Sequence, residues 1–93
     1  MFTGTNIRIR LRTFLDLSGA TSLKIRYKPP SGQSGEWSAT LDPDDNQFMY
    51  YDTSQADLDV AGMWNFQPVA EFGANINKGR IVQTYVNKPI PKP

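Results

Sequence analysis

The chain has 93 residues, 10 Lys or Arg against 9 Asp or Glu, and neither cysteine nor histidine. That length fits one domain with one modest core. The missing residues exclude a disulfide framework, a zinc-thiolate site, and Ser–His or Cys–His catalysis. The absence of disulfides is what a chain folded in a reducing cytosol shows.

Residues 7–12, Ile-Arg-Ile-Arg-Leu-Arg, alternate strictly. They predict a strand with Ile7, Ile9 and Leu11 inward and Arg8, Arg10 and Arg12 outward. A turn-rich connection, Asp16 to Thr21, leads to a second strand of the same design. Leu23, Ile25 and Tyr27 face in; Lys24, Arg26 and Lys28 face out. Pro29-Pro30 ends it, because proline cannot donate to a ladder. The polar loop Ser31–Gly35 follows.

A third strand is expected over 36–41, with Trp37, Ala39 and Leu41 on one face. Asp42-Pro43-Asp44-Asp45-Asn46 is a turn by composition. Residues 47–52 form a fourth strand whose inward pair is either Phe48/Tyr50 or Met49/Tyr51. Ser54-Gln55-Ala56-Asp57 fits a capping box before one short helical turn, which Gly62 closes. The fifth strand, 63–72, turns Trp64, Phe66, Ala70 and Phe72 inward. Pro68 within it signals a bulge or a strand edge.

Gly73–Gly79 reads as a turn and 80–87 as the last strand. Val82 and Val86 share one face of that strand, Ile81 and Tyr85 the other. Pro89–Pro93 is extended, of polyproline II type. The domain is expected over 1–88, with 89–93 as a tail. Short strands with turn signals every 8–14 residues predict an all-β antiparallel sandwich or barrel, and of the two a sandwich of about six to seven strands is the expected fold. Trp37, Trp64 and Phe66 are its expected core aromatics, the two tryptophans facing each other across the sheets.

Charge is distributed in blocks. Residues 1–28 total about +5, 29–71 about −8 and 72–93 about +4. If the first two strands pair, Arg8, Arg10, Arg12, Lys24, Arg26 and Lys28 share one sheet face, and like charges directly opposed destabilise a sheet. Acids of this chain, acids of a partner, or phosphates must then neutralise them. The face is either a solvated outer surface or a partner-binding one. Single-strand nucleic-acid binders interleave aromatics with such cations. Here Tyr27 points inward and Phe14 is the other aromatic nearby, so nucleic acid is not the expected partner.

Asp42-x-Asp44-x-Asn46 opens like a calcium loop but lacks the glycine and the closing glutamate, so no metal is expected. Asp52, Asp57 and Asp59 are carboxylates in a glycosidase-like cluster. Asp57 is better explained as a cap and Asp59 as a corner residue, so no catalytic site and no cofactor are expected. Met1–Asn6 lacks the regions of a signal peptide, and no run spans a membrane.

Leu58-Asp59-Val60-Ala61-Gly62-Met63-Trp64 resembles the D-x-G-x-aromatic entry to the sixth strand of immunoglobulin-like sandwiches. The spacing is one residue longer than usual, and tryptophan stands where tyrosine is common. The whole layout, from Gly4-Thr5-Asn6 through Ile25–Gly32, Glu36-Trp37 and Tyr51-Asp52 to Lys88-Pro89, resembles the N-terminal immunoglobulin-like domain of phage baseplate upper proteins and related small tail proteins. The resemblance covers residues 4–89. It implies a virion structural protein, made in the host cytoplasm, that docks in the tail, baseplate or neck. Its partners are then other phage structural proteins and copies of itself in a ring. The alternative class is a carbohydrate-binding module, which requires aromatic side chains in a surface groove.

Overall fold

The structure is a computed structural model, and it describes residues 7–30, 32–54, 57–58 and 60–87. Eight strands run in chain order: β1 Arg8–Arg12, β2 Ser22–Lys28, β3 Gly35–Ser38, β4 Thr40–Leu41, β5 Phe48–Asp52, β6 Gly62–Phe72, β7 Asn75–Lys78 and β8 Val82–Val86. They form two antiparallel sheets. One has the order β1-β5-β4; the other has the order β3-β2-β6, with β7 and β8 both along the far edge of β6. The inner faces share one apolar core, the arrangement of a β-sandwich.

The alternation in β1 and β2 decides their orientation. Ile9 and Leu11 are buried, as is Ile25, while Arg8, Arg10, Arg12, Arg26 and Lys28 are exposed. In β5 the inward pair is Met49 and Tyr51, so Phe48 and Tyr50 stand outside. The expected third strand is two strands. β3 pairs with β2, then the chain crosses at Ala39 and β4 pairs with β5 in the other sheet. Trp37, Ala39 and Leu41 all reach the core across this crossing.

The two tryptophans do not face each other across the sheets. Trp37 lies on β3 and Trp64 on β6, both in the larger sheet. Both are buried. Trp37 stacks on Tyr27 of its own sheet at 4.4 Å and on Tyr51 of the opposite sheet at 4.7 Å. Phe66 is buried beside Trp64 on the same face of β6. The Trp64 indole N–H donates to the Val60 carbonyl at 2.8 Å and so anchors the chain just before β6. Leu17 and Leu58, both from connections, are fully buried and close the core.

Gly73–Gly79 is not a simple turn. Phe72 pairs with Asn75, so Gly73-Ala74 is a two-residue hairpin loop and β7 returns along β6. Pro68 sits where the pairing changes hands from β7 to β8. Its carbonyl accepts from the Gly79 N–H at 2.9 Å, so the side on which proline lacks a donor faces this junction and not the β2 ladder.

Val69 pairs with Lys78 and Phe66 with Val82, so two residues of β6 face three of the return strand. That extra residue is a β-bulge, and it inverts which side chains point inward. Ile76 and Lys78 share the outer face with Glu71 and Val69; Val82 and Val86 turn toward the core side. A Cβ on Gly79 would lie 2.6 Å from Pro68 Cγ, so glycine is what lets the bulge pass over the proline ring.

No helix occurs among the described residues. The expected helical turn after Ser54 falls partly on residues outside them, as do Asp59 and the 89–93 tail. Asp57 and Ser54 are described. Asp57 accepts from the Ser54 N–H at 2.7 Å, as a capping-box acid does, and its own N–H donates to the Ser54 carbonyl.

Candidate functional site

The two basic ladders do not share a face, because β1 and β2 do not pair. The nearest partner of β1 is β5, and β2 lies between β3 and β6. The connection 13–21 carries the chain from one sheet to the other, so the arginines and the lysine-rich strand decorate opposite outer faces.

On the smaller sheet, β1 sets Arg8, Arg10 and Arg12 opposite Asp52, Tyr50 and Phe48 of β5. Each guanidinium lies over a ring: Arg8 4.0 Å from the Tyr50 centroid, Arg10 3.9 Å from Phe48 and Arg12 4.4 Å from Phe14. Arg8 also binds Asp52 through two nitrogens, at 2.7 and 3.1 Å. The pair holds the Asp52 carboxyl below its ordinary range and raises the Arg8 guanidinium. Arg10 Nε donates to Asp42. Arg12 has no carboxylate partner among the described residues and reaches Gln47 at 3.3 Å.

The aromatics that seemed missing beside the arginines are therefore present, on β5. Sequence alternation alone left its inward pair open. The rings, however, are covered by guanidiniums and not open to a base, and two of the three arginines are neutralised by acids of this chain.

On the larger sheet, Arg26 Nε donates to Glu36 at 3.1 Å, and Lys24 lies 3.7 Å from both Glu36 and Glu71. Such exposed pairs contribute about 0–1 kcal/mol each, but they do answer the like-charge problem within the chain. Lys28 has no ion-pair partner among the described residues.

The acids of the middle segment are engaged in holding turns. Asp42 accepts from the Asp44 N–H at 2.8 Å and from Arg10; the first of these, then the second, lowers its carboxyl from the ordinary range. Asp45 accepts from the Gln47 N–H at 3.0 Å. Asp57 receives the Tyr51 hydroxyl at 2.9 Å, and burial, then this acid, raises the phenol. No group of three metal-ligating side chains converges among the described residues. No helix there is long and apolar enough to cross a membrane.

The outer face of the larger sheet carries two features that the sequence reading missed. Met63 and Tyr85 pair across β6 and β8, and with Ile81 and, on β7, Ile76 they leave apolar side chains exposed. Ile81 and Tyr85 are each 57% exposed. In sequence they look like ordinary members of an alternating strand; only the bulge turns them out.

Beside them lies a groove of ≈ 680 Å³, bordered by Arg26, Lys28, Ser34, Asn65, Gln67 and Ile81. Tyr27 and Phe66 touch it from the core side. No protein-family model, curated protein or solved structure matches the chain.

Proposed function

We propose that this chain is a structural protein of a phage virion, an immunoglobulin-like module of the tail, baseplate or neck that acts by docking other proteins. The observation that carries the docking part is the exposed apolar row Met63, Ile76, Ile81 and Tyr85 along β6–β8. Such a row beside polar residues is what an interaction surface presents to a partner. Of the carboxylates among the described residues, Asp42, Asp52 and Asp57 are tied into turns, an ion pair and a tyrosine hydroxyl.

The strand order supports the immunoglobulin-like reading. That fold sets its second, fifth and fourth strands side by side in one sheet, an order that β1-β5-β4 would match, with β3, β2, β6 and the β7–β8 return as the opposite sheet. The phage assignment rests on the sequence layout described above.

Mass spectrometry of purified virions, with light scattering after gel filtration on the isolated chain and its co-encoded tail proteins, tests this. Stoichiometric presence in the particle and a defined complex are expected. Absence from the particle overturns the virion reading; a monomer that binds none of those proteins overturns docking.

A further inference from the structure

We propose that the groove on the outer face of the larger sheet binds an acidic polypeptide segment of a partner protein. The inference rests on the docking reading and gives it a site and a ligand chemistry.

Strand register builds the floor. Lys28 of β2, Asn65 of β6 and Gln83 of β8 lie in one cross-strand row, with Arg26 and Gln67 in the next pairing outward on the same face. Asn65 Oδ1 is buried and has no hydrogen-bond partner. A buried acceptor left unpaired is destabilising, so in a native fold it calls for an explanation. That oxygen is closed to the groove, so it belongs to the packing beneath the floor and not to the ligand.

The cations beside it are available. Lys28 has no ion pair among the described residues, and Arg26, which bonds Glu36 through Nε, lines the groove beside it. Ser34 and Gln67 add polar groups to the lining, and the exposed Ile81 adds an apolar wall. The volume lies within the range of ligand sites.

A ligand that fits must offer an acceptor to Lys28 and Arg26 and an apolar contact to Ile81. A peptide with an acid beside an apolar residue offers both. A sugar would want an open aromatic platform, and the rings that touch the groove, Tyr27 and Phe66, belong to the core. A nucleic acid would want a longer run of cations than Lys28 and Arg26, with Glu36 at the rim, provide.

The experiment is panning of a random dodecamer peptide library against the full chain, followed by fluorescence anisotropy on synthesised winners. The expected winners share an Asp or Glu next to an apolar residue. Amidating that acid, or Lys28→Glu in the protein, weakens binding by about tenfold or more, as losing a charge partner does. Ile81→Ser weakens it too, yet leaves the thermal midpoint in place, because that side chain is 57% exposed. That combination separates a binding role from a structural one.

Winners without an acid overturn the proposal. So does binding that survives both Lys28→Glu and Ile81→Ser, which leaves docking intact but elsewhere on the surface. Recovery of no peptide also overturns the groove, while the virion experiment decides docking independently. Tighter binding of a chito-oligosaccharide or an oligothymidylate, lost in the same variants, keeps the site and overturns the ligand class.

Discussion

Replacing Trp64 separates the contributions of ring burial and of one hydrogen bond. The side chain is fully buried on β6, beside Phe66 and Tyr27, and its indole N–H holds the Val60 carbonyl. Trp64→Ala removes both and leaves a cavity, at a cost of about 3–5 kcal/mol. Trp64→Phe keeps most of the apolar ring but leaves the Val60 carbonyl without its donor. With the smaller ring included, the expected loss is about 1.5–3 kcal/mol.

A domain of this length is stable by only about 5–14 kcal/mol, so the alanine variant stands close to unfolding and the phenylalanine variant carries the measurement. Urea unfolding followed by far-UV circular dichroism, with linear extrapolation, gives both values. A loss below about 1 kcal/mol for Trp64→Ala refutes the burial of the ring. A Trp64→Phe variant as stable as the wild type refutes the role of the Val60 bond.

Gly35→Ala drives a Cβ into the Tyr27 hydroxyl, so the ring must leave its stack on Trp37; a loss of about 1–3 kcal/mol and a weakened near-UV spectrum are expected. Phe14 stands at φ 63°, in the left-handed region that costs a non-glycine residue about 1–2 kcal/mol. Phe14→Gly should therefore raise the thermal midpoint despite losing the contact with Arg12; a fall shows that the contact outweighs the strain.

Asp52 and Asp42 have folded-state carboxyls below their unfolded values, so their contribution is present above about pH 4 and lost as pH falls below it. The thermal midpoint should drop on acidification, and Asp52→Asn should flatten that drop. An unchanged slope means that the Arg8 pair adds nothing.

Where one strand face is apolar and the other charged, the fold was legible in the sequence. The orientations of β1 and β2 follow from Ile9, Leu11 and Ile25 against their basic neighbours. In β5 both faces are apolar or aromatic, so period 2 cannot choose; Phe48 and Tyr50 go outward because Arg8 and Arg10 cover them. The sheet partners of β1 and β2 were hidden for a different reason. Alternation specifies a face and not a neighbour, and neither ladder shows that Asp52, Asp42, Glu36 and Glu71 will answer it. β7 was hidden because Asn75-Ile76-Asn77-Lys78 has the composition of a loop. The groove was illegible because its row, Lys28, Asn65 and Gln83, joins residues far apart in the chain through register alone.

The bulge opposite Pro68 makes the return strand sensitive to arithmetic. One residue removed from 79–81 would not merely shorten a connection. It would exchange odd for even along β8, carrying Val86 outward and driving Gln83 and Tyr85 into the core. Insertions of two residues preserve the facing and insertions of one do not, so this stretch tolerates length change only in pairs. The Gly73-Ala74 loop obeys no such constraint on outward extension, since residues added at its tip leave both ladders as they are. Two connections that look equally loop-like in sequence thus differ in kind: one can vary freely in length, and the other keeps count.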